Sequence, residues 1–111
     1  MRKHHQPRRL TVGDTSWLWS VRHRHPDCRE VLSLHREGAG ATLRLVFSDA
    51  VPGRYLWDSG GIGNTAGHLN LHEPGVVRGF LDEAAERGLL PSARGEIEID
   101  GWPLFDAVLR R

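Results

Sequence analysis

The segment SWLWSVRHRH alternates between apolar and polar side chains, and this period of two constrains the fold more than any other feature of the chain. Trp17, Trp19 and Val21 fall on one side of the alternation, whereas Arg22 and Arg24 fall on the other. Successive side chains of a β-strand point to opposite faces of a sheet. The segment therefore predicts a strand that buries two tryptophans in a core and turns its arginines outward.

Two more strands follow at short intervals. REVLSLHR places Leu32 and Leu34 on one face, and ATLRLVFSD does the same with Leu43, Leu45 and Phe47. The links HPDC and EGAG are short and carry proline or glycine, which favours hairpin connections. An antiparallel meander is the expected arrangement. Beyond it, RYLW is a candidate fourth short strand, GGIGNTAG is expected to be a flexible loop, and HLNLHEP is expected to be extended.

The second half of the chain predicts helical structure. A helix is expected from Pro74, because Val77, Phe80 and Leu81 form an apolar stripe at helical spacing and Gly88 follows as a stop. GEIEID predicts a late strand with its two isoleucines inward, and WPLFDAVLRR predicts a short helix at the end of the sequence. This order indicates an α+β fold: an antiparallel sheet of four or five strands, with one main helix packed on one face and a short C-terminal helix.

Twelve residues are expected to form the buried core: Trp17, Trp19, Leu32, Leu34, Leu43, Leu45, Phe47, Val77, Phe80, Leu81, Ile97 and Ile99.

Charge is distributed unevenly along the chain. Residues 1–36 hold eight Arg or Lys against three acidic residues, whereas residues 37–111 hold seven against eleven, for a net charge of +1. We interpret residues 1–10 as a basic flexible arm and residues 11–111 as a single domain. The sequence contains one cysteine, Cys28, and no apolar stretch that could span a bilayer, so a cytoplasmic protein without membrane contact is expected.

The strand SWLWSVRH and the segment LNLHEPGVVRGFLDEAAERGLLP, followed by a strand, resemble a family of small uncharacterised bacterial α+β proteins. Members carry a tryptophan in the first strand and a proline-started helix with a glycine-x-x-proline type exit. The similarity covers residues 15–105. It implies a shared fold and assigns no functional residue.

Metal binding is one chemical hypothesis. His23 and His25 fall on one face of the first strand, Cys28 follows the proline, and His35 lies on the next strand. Imidazole and thiolate suit zinc. A structural zinc site usually shows two tight ligand pairs, however, and only one thiol is present. The sequence therefore favours histidines on a solvated face, with no metal and no other cofactor, and keeps these four residues as the alternative.

The function expected from the sequence is that of a non-catalytic accessory module which binds a partner protein. No catalytic constellation stands out, and the outward arginines Arg22, Arg24 and Arg44 are the candidate partner-binding residues. A nucleic-acid-binding protein that uses the basic arm and the first strand is a second hypothesis, because tryptophans beside arginines suit single strands.

Overall fold

The computed structural model describes residues 7–57 and 60–111. Its elements, in chain order, are β1 Arg8–Val12, β2 Thr15–Arg24, β3 Arg29–Arg36, β4 Ala41–Ser48, β5 Arg54–Trp57, β6 Gly61–Asn64, β7 His68–Asn70, α1 Pro74–Glu86, β8 Gly95–Asp100 and α2 Trp102–Leu109.

The main sheet has five strands in the order β1-β2-β3-β4-β8. The first four pair antiparallel through short connections. The meander of β2, β3 and β4 is the one that the sequence predicts, whereas β1 was not expected. In contrast, β8 pairs parallel with β4, with Leu43 beside Ile97. A parallel pair needs a long crossover connection, and here that connection contains the second sheet and α1. The α+β fold is therefore confirmed, with a sheet that is mostly antiparallel.

The expected arm extends into the fold. Arg8, Arg9 and Leu10 belong to β1, which pairs with β2, although the sequence placed them in a flexible segment. Gly13 has φ +61° in the two-residue turn between the strands, a conformation that glycine adopts without strain. Residues 1–6 of the expected arm lie outside the described residues.

A second sheet of three strands, in the order β5-β6-β7, replaces the expected glycine loop. GIGN is a buried strand, so the prediction of a flexible loop is wrong. A Cβ at Gly61 would lie 2.9 Å from the Cβ of Trp57, and a Cβ at Gly63 would lie 2.7 Å from the Trp57 ring. The glycines in this stretch therefore allow close packing beneath an aromatic side chain, whereas their composition alone suggested mobility.

The core lies between the inner face of the main sheet and the two helices. Phe47 of β4 meets Phe80 of α1 and Trp102 of α2 edge to face, with ring centroids 5.5 and 5.2 Å away. Of the twelve residues expected in the core, ten are at most 4% exposed, Ile99 is partly buried and Ile97 is 45% exposed. The expectation for Ile97 is wrong because β8 is an edge strand, and no strand in the described part of the chain pairs with its outer side.

The main helix begins at Pro74 and ends at Glu86, close to the predicted limits. Gly88 follows with φ +70° and closes the helix end, as expected. No helix in the described part of the chain is long and apolar enough to cross a membrane.

Candidate functional site

The outer face of the main sheet, opposite the helices, carries a groove with a volume of about 680 Å³. Its floor carries the hydroxyl side chains of Ser20, Ser33 and Thr42 from three adjacent strands, and the apolar Leu18 and Val31 line it as well. Ser20 lies opposite Ser33 in the β2–β3 register, which places both hydroxyls on the same face. We call this surface, floored by these three residues, the outer groove.

Arginines surround the outer groove. Arg22, Arg24 and Arg44, the three candidate partner-binding residues from the sequence, all line it, and Arg94 joins them from the segment before β8. No sequence pattern pointed to Arg94, since it lies in an irregular segment and reaches the groove only because β8 pairs with β4. Four arginines thus line one groove.

Two of these arginines are already paired with the edge strand. Arg24 donates to Glu98 at 2.8 Å, and Arg44 donates to Glu96. The hydrogen bond from Arg24 lowers the pKa of the Glu98 carboxyl, and that from Arg44 lowers the pKa of Glu96. Within residues 7–57 and 60–111, no ion pair involves Arg22 or Arg94. These two are therefore the arginines with charge to offer an incoming group.

His35 belongs to the outer groove and not to the other metal candidates. Its Nδ1 lies 2.8 Å from the hydroxyl oxygen of Thr42, across the β3–β4 register. Because His35 is one residue away from the inner-facing Leu34, its ring lies on the face opposite His23. The structure therefore separates His35 from His23, His25 and Cys28, the other three residues of the metal hypothesis.

The other three metal candidates come together at the hairpin between β2 and β3. His23 is near the end of β2, and His25 and Cys28 lie in the four-residue turn that follows. One ligand atom from each of the three lies within 4.8 Å of the others. We call these three residues the His-Cys turn.

A buried carboxylate adjoins the His-Cys turn. Glu30, opposite His23 in the register, is 3% exposed, and its Oε1 is hydrogen-bonded to His23 Nδ1. The sequence did not single out this residue. A signal was present nonetheless, because Glu30 precedes Leu32 and Leu34 at the same inward-facing period of two.

The tryptophans of the nucleic-acid hypothesis lie in the core. Trp17 and Trp19 are 4% and 2% exposed, so they offer no face for a base. Arg8, from the expected basic arm, packs over the Trp19 ring at 4.8 Å and donates to the carbonyl of His72 at 2.9 Å. Arg8, which was expected to contact nucleic acid, therefore packs within the fold.

A separate exposed patch lies on the small sheet. Tyr55 and Trp57 are each 47% exposed, and the Trp57 ring meets His68 edge to face with centroids 4.8 Å apart. Neither ring lines the outer groove.

Comparison of the chain with protein-family models, with curated proteins and with solved structures gives no match. The resemblance to small bacterial α+β proteins therefore rests on the quoted sequence segments alone. The assignment of function depends on the two sites just described, the outer groove and the His-Cys turn.

Proposed function

We propose that the protein is a non-catalytic binding module whose outer groove receives an acidic, extended segment of a partner protein. The observation that carries the proposal is a pair of groove arginines, Arg22 and Arg94, that form no ion pair with any described residue and lie on the same groove as three hydroxyl side chains. An arginine can bind a carboxylate through two parallel hydrogen bonds, and serine and threonine hydroxyls can donate to the same group. This combination suits aspartate or glutamate side chains.

The charge pattern supports a peptide over a nucleic acid. The acidic residues Glu96 and Glu98 lie along β8 and hold two of the groove's four arginines, and Glu96 itself lines the groove. A continuous phosphate backbone would meet repulsion from that strand, whereas isolated carboxylates of a peptide can pair with Arg22 and Arg94 and avoid it. The burial of both strand tryptophans also removes the aromatic stacking that single strands use.

The cytoplasm is the compartment we propose for this activity. Cys28 is the only cysteine in the sequence, and a protein without disulfides is suited to a reducing environment.

The test combines binding and a charge-reversal variant. The full chain, immobilised at low salt, is used to capture partners from its native host, with and without nuclease treatment. We expect an acidic protein that is retained after nuclease and released as salt rises, because screening weakens exposed ion pairs. Reversal of both free arginines, Arg22→Glu with Arg94→Glu, should abolish its retention.

Arg110→Glu is the matched control, since Arg110 is exposed and follows α2, away from the groove. If the control variant loses the partner protein as completely as the double variant does, the outer groove is not the binding site. Capture that disappears with nuclease would favour nucleic-acid binding instead.

A further inference from the structure

We propose that the His-Cys turn binds one zinc ion through His23, His25 and Cys28. This site is separate from the outer groove and does not depend on the function proposed for it. Three donor atoms of the types that zinc prefers already lie within 4.8 Å of one another on one hairpin.

The hairpin geometry explains why the donors converge. β2 and β3 are locked in register up to the pair Arg24–Arg29, so the four residues between them form a tight turn. The amide of Asp49 donates to the carbonyl of Cys28 at 3.4 Å and ties the turn to the end of β4. His25 and Cys28 are therefore held over His23, whose ring meets that of His25 at a centroid distance of 4.5 Å.

Only a small movement separates this arrangement from a metal site. Bond lengths of about 2.0–2.1 Å to nitrogen and about 2.3 Å to sulfur, in a tetrahedron, place ligand atoms about 3.3–3.6 Å apart. The donors, within 4.8 Å of each other, must close by about 1 Å. His25 is exposed and Cys28 is only partly buried, so rotation of their side chains can supply this closure without repacking the core.

Glu30 is the observation that points most directly to a metal. Metal-binding histidines usually give their second ring nitrogen to a carboxylate, which fixes the ring orientation and makes the ligand nitrogen more basic. Glu30 is buried and bonded to His23 Nδ1, so Nε2 of His23 is the nitrogen left for a metal. A carboxylate is costly to bury, and this bond gives it a role beyond packing.

The donor set favours zinc over harder ions. Two imidazoles and one thiolate suit zinc, whereas calcium and magnesium require oxygen ligands. Three protein ligands leave a fourth tetrahedral position for water, and the turn is open to solvent on the His25 side. The site we infer is therefore an exposed, three-ligand zinc site at the end of the main sheet.

Cobalt(II) provides the sharpest test, because a cobalt–thiolate bond gives a charge-transfer absorption that imidazole alone does not. Cys28 is the only cysteine in the chain, so this absorption can report on no other thiol. We titrate the tag-free full chain with Co²⁺ and then with Zn²⁺. The expected result is one equivalent of cobalt with a thiolate band and a tetrahedral visible spectrum, displaced by one equivalent of zinc.

The variants assign the ligands. Cys28→Ser should remove the thiolate band, and His25→Ala should weaken zinc binding at least tenfold. Glu30→Gln should keep the band and lower zinc affinity by about 10–100-fold, since it changes only the support of His23. His35→Ala is the matched control and should bind zinc like the unaltered protein, because His35 lies on the other face.

Several outcomes would overturn the proposal. One is cobalt binding without a thiolate band, and another is zinc affinity that the His25→Ala change leaves unaltered. Half an equivalent of metal per chain with dimer formation would assign the thiolate to a bridge between two molecules. Binding lost on replacement of His4 and His5, with the His-Cys turn intact, would assign the metal to that pair.

Discussion

At the scale of single residues, Gly101 shows how closely the core is packed where β8 turns into α2. Its φ of −83° is open to any residue, so backbone strain does not require glycine there. A Cβ at this position would lie 2.4 Å from the ring of Phe47, which itself packs against Trp102 and Phe80. Glycine is therefore required at this turn because no room is left for a side chain, and not because of the backbone conformation.

We expect Gly101→Ala to destabilise the protein by about 1–3 kcal/mol, because the buried Phe47 ring must move. The measurement is the free energy of unfolding from urea denaturation. Gly75→Ala is the matched control: nothing lies within 4 Å of its added methyl group, and Gly75 is helical. That change should be neutral or stabilise by up to about 1 kcal/mol. Similar effects of both substitutions would show that the contact with Phe47 is unimportant.

Leu43 and Ile97 are register partners with opposite burial, and they allow the edge of the core to be measured. Leu43 is fully buried on β4, whereas Ile97 on β8 is 45% exposed. We expect Leu43→Ala to cost about 2–5 kcal/mol and Ile97→Ala about 1 kcal/mol or less. The same unfolding assay compares them, and equal costs would mean that a further element covers β8.

At the scale of elements, a cluster of ion pairs joins α1 to the residues after α2. Arg111 donates to Glu83 at 2.7 Å and to Glu86 at 3.0 Å, and Arg87 donates to Glu83 at 3.3 Å. Glu83 is the most buried of these acids, with its side chain 12% exposed. The hydrogen bond from Arg111 lowers the pKa of Glu83 below its ordinary value of 4.5.

This lowered pKa predicts an acid dependence of stability. The unfolded chain takes up a proton at Glu83 before the folded protein does, so the stabilisation is complete above the ordinary pKa and is lost as the pH falls through the lower folded pKa. Glu83→Gln removes the titrating group. We therefore expect its destabilisation relative to the unaltered protein to shrink between about pH 6 and pH 3.

Urea unfolding at several pH values measures this difference. Glu37→Gln is the comparison, because the pKa of Glu37 is also lowered, chiefly by the hydrogen bond from Arg9, but Glu37 lies between β3 and β4 and not on a helix. A difference for Glu83→Gln that stays constant down to about pH 3 would show that the pair with Arg111 does not form in solution.

At the scale of the whole molecule, the main sheet has one covered and one open face. The helices and the small sheet cover the inner face, and the outer groove occupies the open one. β3 lies at the centre, between β2 and β4, whereas β1 and β8 form the edges. Disruption of β3 pairing therefore requires the loss of most of the core.

This placement predicts a gradient of hydrogen exchange. Amides of β3 should exchange only through global unfolding, whereas those of β1 and the small sheet should exchange through smaller openings. Amide exchange followed by NMR at several low urea concentrations separates the two classes. Uniform protection across all strands would contradict it and would indicate that the two sheets open as one unit.

Local pattern determined much of the fold. The period of two in SWLWSVRHRH and in the next two strands was sufficient to predict which side chains enter the core, and the apolar stripe after Pro74 was sufficient to place α1. The same alternation placed Arg22, Arg24 and Arg44 on one outward face, where the structure has them. These features depend on residues only a few positions apart in the chain, so the sequence alone is sufficient to predict them.

Contacts between distant residues were decided by tertiary structure alone. The parallel pairing of β8 brings Arg94 to the outer groove and leaves Ile97 exposed, and packing under Trp57 makes a strand of the glycine-rich segment. The register of β2 and β3 gathers His23, His25 and Cys28, sends His35 to the opposite face and buries Glu30 beside His23. Periodicity fixes the face on which a residue lies, but only strand order and register, set by burial of the whole core, fix its neighbours.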